Sequence, residues 1–476
     1  LRGRILPALA LVAAALPAAA QRSDVPAPVR AANCETGLRQ LNPLFGWQVR
    51  WASSLRQLAS QPDAAPAALA EWRKAGAIVR ADIATLRHGL AAGRTAPVVV
   101  VDRVAAQARA LQAQLAATPL AAQPGWRELL DRELRPAVDA YVDFLVTAYR
   151  PSATAASVLP TIPDGEACFA QAVTSWTTLR RSPEELEEAG YALLAEARRD
   201  LARAAGVREA ELPRVVAELR RPVPGATREE LLAITRGAMA RARAALPRWF
   251  EAGALPPIAI ERVPMAEEAD TVAGFYRQAQ GSAPAAYVVN LGRPEERRLM
   301  AEVIAFHETL PGHHLAFARQ TSPGQFNSGF IEGWAIYAEY LADEMKLFSS
   351  RRDRMGMHAK HLWAASRLIV EPGLHVRGWT RDQAIDFMRV NTALSDAEIA
   401  VEVDRYLAMP GQSLAYMLGA DQLRRARARA EKALGRRFDI RRFHSIVLTP
   451  APRSLERVNA DVDAWIAAVQ REGRGA

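Results

Sequence analysis

Phe306-His307-Glu308-Thr309-Leu310-Pro311-Gly312-His313-His314 sets three imidazoles and a carboxylate in nine consecutive residues, and Glu332 follows on the next apolar segment. In a hydrolytic metal helix written His-Glu-x-x-His, residues four apart share a face. Both imidazoles then reach one cation while the Glu beside the first acts as general base. Here Pro311 stands where the second His belongs. Proline neither coordinates nor donates a hydrogen bond to the carbonyl of His307, so an unbroken helix is excluded. Looping out Pro311 and Gly312 restores the four-residue relation between His307 and His313, with Gly312 available for a positive φ in the bulge. The stretch reads as a zinc-binding helix with a two-residue insertion, Glu308 as catalytic base, His307 and His313 as ligands, and His314 as the secondary choice for the second ligand.

Upstream, Leu299, Met300, Val303 and Ile304 form an apolar stripe whose next positions are His307 and Glu308, so the chemistry points inward. Strand character is confined to Ile258 to Val263 and Ala286 to Leu291, separated by a polar, helix-prone segment. A small sheet beside a metal helix can take an extended peptide along its edge. Tyr287 and Asn290, in Tyr287-Val-Val-Asn290, are therefore candidate substrate-binding residues, against the alternative of a buried strand that only packs. Downstream, Phe330-Ile-Glu-Gly-Trp-Ala-Ile-Tyr-Ala-Glu-Tyr340 reads as a second helix with Glu332 in its first turn as third metal ligand. Glu339 on the same face is placed to accept a ligand N–H.

The rest of the chain is predicted to be mainly α-helical. Its 476 residues are half apolar, enough for a sizeable core. Residues 1–20 carry Arg2 and Arg4, an apolar run from Ile5 to Leu16 and Pro17-Ala-Ala-Ala20, the layout of a secretory signal peptide without a lipid-anchor Cys. That run is too short to span a membrane comfortably, so a periplasmic or secreted location without stable membrane insertion is expected. Residues 21–160 read as an N-terminal helical region, and 161–476 as a catalytic region. Ser182-Pro-Glu-Glu185 and Thr227 to Glu230 are helix starts. Without Arg2 and Arg4 the net charge is about +7, a mild value. The basic run from Leu423 to Arg442 has no interleaved aromatics, so no nucleic-acid partner is expected. Cys34 and Cys168, an even pair in an exported chain, invite a disulfide. His88, His358, His361 and His444 lack matching acids and are assigned to surface or core.

His313 and Glu332 lie nineteen positions apart. That spacing, with Ile-Glu-Gly-Trp-Ala, is similar to the second motif of gluzincin metallopeptidases of the aminopeptidase N type. The chain also resembles the bacterial domain of unknown function 885 family, whose hallmark is His-Glu-x-x-Pro-Gly-His-His followed by Glu-Gly-Trp. The resemblance covers roughly residues 165 to 470, including Arg367, Gly373-Leu-His375, Arg405-Tyr406, Pro410-Gly-Gln412 and Tyr416. It implies a large helical metallopeptidase-like fold and a zinc-dependent hydrolase, one zinc per chain. Related gluzincins hold the developing oxyanion with a tyrosine, which makes Tyr416 and Tyr406 the candidate donors. Arg405 and His375 are candidate substrate-binding residues. The leading reading is an exported zinc metallopeptidase acting on short peptides. A small-molecule amidase with the same metal, and a non-catalytic helical binding protein whose His cluster is a hydrogen-bonded core network, are the alternatives.

Overall fold

The computed structural model describes residues 41–472, apart from 44–45, 61, 117, 266–267, 269–271, 280–282, 323 and 325–326. The expected leader at residues 1–20 and Cys34, one half of the expected disulfide, lie outside the described residues. Within them the chain is mainly helical with one small three-stranded mixed sheet, as its sequence predicts. No helix among the described residues is long and apolar enough to cross a membrane.

Three long helices, α1 (Trp47–Ser60), α2 (Ala75–Ala91) and α3 (Val98–Gln114), open the described chain. Their apolar faces meet through Leu55, Leu58, Val79, Leu86, Val101 and Val104. The same core takes in Val370, Leu374, Ile399, Val403 and Tyr406 from far along the sequence. The boundary expected at residue 160 thus divides the chain but not this packing.

After α4 (Gly165–Thr177), a full capping box starts α5 (Pro183–Ala205). Ser182 Oγ accepts from Glu185 N at 3.2 Å and Glu185 accepts from Ser182 N at 2.9 Å. Thr227 caps the helix Arg228–Ala245 with its hydroxyl alone, accepting from Glu230 N.

The sheet comprises β1 (Ile258–Arg262), β2 (Gly274–Arg277) and β3 (Ala285–Val289), in the order β1-β3-β2. β3 pairs parallel with β1 and antiparallel with β2. Two expectations change here. The segment read as helix-prone contains β2, whose Gly274 is required by its partner, since a Cβ there would lie 2.6 Å from the Tyr287 ring. And β3 is the middle strand, hydrogen-bonded on both sides, so Tyr287 and Asn290 offer no edge to a peptide. Asn290 instead ties the turn, donating to Glu268 O and accepting from Gly292 N, each at 2.9 Å.

The sheet leads into α6 (Ala301–Glu308), α7 (His313–Ala318), α8 (Ser328–Glu344), α9 (Arg351–His375), α10 (Asp396–Ala408) and α11 (Leu414–Leu434). α9 runs along α5, and α8 along α11. The α8 and α11 backbones come unusually close: a Cβ on Gly419 would stand 2.0 Å from Gly329 O and 2.6 Å from Gly333 Cα. α8 is buried on all sides rather than along one stripe, which carries its acids Glu332 and Glu339 into the interior. On the basic run of α11, Arg425 and Arg427 pair with Asp421 and Glu344.

Candidate metal centre

Two short helices replace the continuous one, and their junction keeps helical register. Gly312 N donates to Phe306 O at 3.0 Å and Leu315 N to Thr309 O at 3.4 Å. Each bond spans six residues instead of four, which is what two extra residues in an α-helix produce. The ordinary spacing returns with Ala316 N to Gly312 O at 3.1 Å. From α8, Trp334 Nε1 donates to Pro311 O at 3.0 Å and pins the loop. The reason for glycine differs from the one expected. Gly312 has φ −76°, not positive. What demands it is crowding, since a Cβ would sit 1.9 Å from His307 O and 2.4 Å from Phe306 O.

This junction brings the His307 and His313 rings to 4.7 Å between centroids, nearly perpendicular at 83°. Glu332 Oε2 from α8 lies 3.3 Å from His307 Nε2 and 3.6 Å from His313 Nε2. Glu308 Oε2 is 3.9 Å from His313 Nε2. His307, Glu308 and His313 each offer a ligand atom within 4.8 Å of the others, and all are buried, as is Glu332.

On the far side, Glu339 Oε1 accepts from His307 Nδ1 at 2.6 Å, and Glu339 Oε2 accepts from His361 Nε2 at 3.0 Å. Lys360 donates to Glu339 as well. Because Nδ1 carries the proton that Glu339 accepts, Nε2 of neutral His307 points a lone pair at the Glu332 carboxylate. Two acceptors at that separation repel unless a cation or a proton stands between them. The donor set therefore fits a small, buried divalent cation such as zinc.

The local charges show that a proton on Nε2 of His307 can take that place as well. Burial and the Lys360 charge work against protonated His307, yet the hydrogen bonds of Glu332 and Glu339 and the charge of Glu308 carry its pKa up to about 9. Burial alone would raise Glu332 and Glu339, but hydrogen bonds from the histidines, and for Glu339 the Lys360 charge, hold both well below the usual carboxylate range. Burial pushes Glu308 up, against the pull of the His307 and His313 charges.

The other sequence-predicted residues fall into two groups. Tyr416 on α11 is half-buried with its ring parallel to His307, 6.4 Å between centroids and 17° between planes. Arg405 is nearby on α10, donating to Glu402 at 2.7 Å and to Gln412. Tyr406 is buried, its hydroxyl accepting from Trp363 Nε1 at 3.0 Å and Arg367 Nε at 3.1 Å. His314 turns away from the acids, with Nδ1 3.3 Å from Tyr276 Oη and Nε2 donating to Pro256 O at 2.9 Å. His375 does not line a pocket. Fully buried, it has Nδ1 2.8 Å from Ser157 Oγ and donates from Nε2 to Tyr406 O at 3.1 Å, leaving no ring nitrogen for a substrate. His358, His361 and His444 are core residues and His88 is exposed.

Sequence reading passed over Lys360. Its signal is a lysine between two histidines, Met357-His-Ala-Lys-His361, on a helix with almost no exposed face. A buried ammonium requires an acid partner, and here that partner is Glu339.

Two solved structures share the fold. A putative lipoprotein from Colwellia psychrerythraea superposes with a TM-score of 0.71 at 21% identity, over 83% of this chain and 75% of that one. A putative lipoprotein of unknown function from Shewanella oneidensis gives 0.67 at 14% identity, over 89% and 82%. No curated protein matches. The model of the family described as bacterial protein of unknown function, DUF885, matches residues 8–458, and the chain belongs to that family.

Proposed function

We propose that this chain is an exported zinc-dependent metallopeptidase that hydrolyses peptide bonds in short peptides. The observation that carries the reading is the convergence of His307 Nε2, His313 Nε2 and Glu332 Oε2, with Glu339 fixing the tautomer of His307 from behind. Those three residues would hold the metal. Glu332 takes the ligand role over Glu308 because its oxygen lies between both imidazoles, whereas Glu308 is further from His313 and keeps more of its side chain accessible. When bound, zinc supplies Lewis acidity, lowering the pKa of a water toward neutrality and polarising a carbonyl.

Glu308 would serve as the base that takes a proton from the attacking water and returns it to the leaving amine. Tyr416 is the donor for the developing oxyanion, being half-buried beside His307, while the Tyr406 hydroxyl is occupied by Trp363 and Arg367. The helical shell around a buried centre favours short peptides over folded proteins. The leader read at residues 1–20, and the naming of both structural relatives as lipoproteins, support a place in the cell envelope.

Elemental analysis and a peptide-library digest of the parent and Glu308→Gln test the reading. About one zinc per chain is expected in both proteins, with cleavage reduced about 10²-fold or more in the variant. A variant that cleaves as fast as the parent removes Glu308 as base. Failure of both to retain metal leaves the non-catalytic helical binding protein. Cleavage confined to small amides, without dependence on chain length, favours the amidase.

A further inference from the structure

Beside the metal centre two buried guanidinium groups share one carboxylate. Arg367 Nη2 donates to Glu402 at 3.1 Å, and Arg405 donates to the same carboxylate from Nη2 at 2.7 Å and Nε at 3.2 Å. The next acid, Glu371, accepts instead from Gly411 N, Ser413 N and Ser413 Oγ and bonds to neither arginine. Arg367 Nη1 bonds to no described residue. A guanidinium has five N–H donors in a planar fork, two of them on Nη1, so Arg367 keeps donors to spare and the pair carries one positive charge beyond what Glu402 balances.

An uncompensated buried charge is costly, and its natural complement is an anion that arrives from outside. The cluster is reachable from such a direction. Arg367 is only 4% exposed, but Arg405 and Glu402 keep 14% and 13% of their side chains accessible although both lie deep in the protein. Those two side chains are the open side of the cluster. Tyr416 joins the cluster to the candidate metal centre: its ring centroid lies 4.6 Å from the Arg367 guanidinium and 6.4 Å from the His307 ring.

We infer that Arg367 and Arg405 form the receptor for a carboxylate of the substrate, so that the chain acts at the free C-terminal end of a peptide. The inference rests on the peptidase reading for the place of the scissile bond. A peptide extends about 3.5 Å per residue, so the gap bridged by the Tyr416 ring accommodates a leaving piece of one or two residues. A bidentate guanidinium recognises a carboxylate by shape as well as charge, and an uncharged C-terminal amide forfeits both.

The test measures binding apart from cleavage. Zinc-loaded Glu308→Gln protein is titrated calorimetrically with an N-acetylated tetrapeptide as free acid, as C-terminal amide, and as an amide with Glu at its last position. The free acid is expected to bind at least tenfold more tightly than the plain amide. Adding Arg405→Gln should abolish that preference, and Arg405→Lys should keep only part of it. If the Glu-bearing amide matches the free acid, the receptor takes side-chain carboxylates; if it follows the plain amide, it takes the α-carboxylate. Equal affinity for acid and plain amide overturns the inference, and that comparison needs no arginine variant to fold. A preference for the acid in a protein whose parent cleaves nothing sustains the receptor and sinks the peptidase reading; cleavage of acid and amide at equal rates does the reverse.

Discussion

Gly312 is held to glycine by two carbonyl oxygens rather than by its dihedral angles. Gly312→Ala cannot be accommodated without moving the backbone of His307, because the atoms in the way belong to the main chain. Overpacking of this kind costs about 1–3 kcal/mol or more. The variant should therefore melt lower and lose zinc affinity together, checked by thermal unfolding with and without a chelator. An unchanged melting temperature would show that the loop has slack. At this scale the approach of His307 to His313 was legible because spacing alone relates them once the insertion is recognised. Lys360 and the sharing of Glu402 by two arginines were not, because the partners are brought together by helices distant in sequence.

Helix starts were readable wherever a cap carries its own chemistry, as at Ser182 and Thr227. Strand order was not. Ala285–Val289 looks the same on paper whether it lies at an edge or in the middle, and β2 begins with a glycine that only its neighbour's tyrosine explains. The contact of α8 with α11 has the same non-local origin, since Gly333 and Gly419 are small only because they face each other. Gly419→Val should force these helices apart at the level of Glu332 and Tyr416, destabilising the fold by about 1–3 kcal/mol or more. Urea unfolding gives the cost, and a metal titration reports the displaced Glu332. If zinc binds as before, the helix spacing does not set the site.

Buried titrating groups outside the candidate metal centre make the stability of the whole molecule depend on pH in two opposing ways. Burial holds His375 at about 4 and His444 at about 3, so their contribution is complete above the unfolded value of about 6.5 and is lost as the solution becomes more acidic. Burial raises Glu371 to about 7, so its contribution is complete below the unfolded carboxylate range and is lost as pH rises through 7. Between pH 7 and pH 5 the two trends offset each other. Glu371→Gln removes the second trend while His375, 3.6 Å away, keeps its bonds to Ser157 and Tyr406, so the variant should lose about 2 kcal/mol more than the parent over that interval, read from urea midpoints at both pH values. Identical pH slopes would mean that Glu371 is ionised throughout. The sequence announced a helical protein around a candidate metal site, but not which histidines would end up locked in the interior, because that depends on how the two ends of the chain meet.

Tyr406 belongs to the same apolar cluster as α1, α2 and α3 while its hydroxyl steadies Arg367. The front third of the chain is thus a buttress rather than an appendage: Leu86 and Val104 share one core with the tyrosine that holds Arg367, so a disturbance at either is felt beside the candidate metal centre.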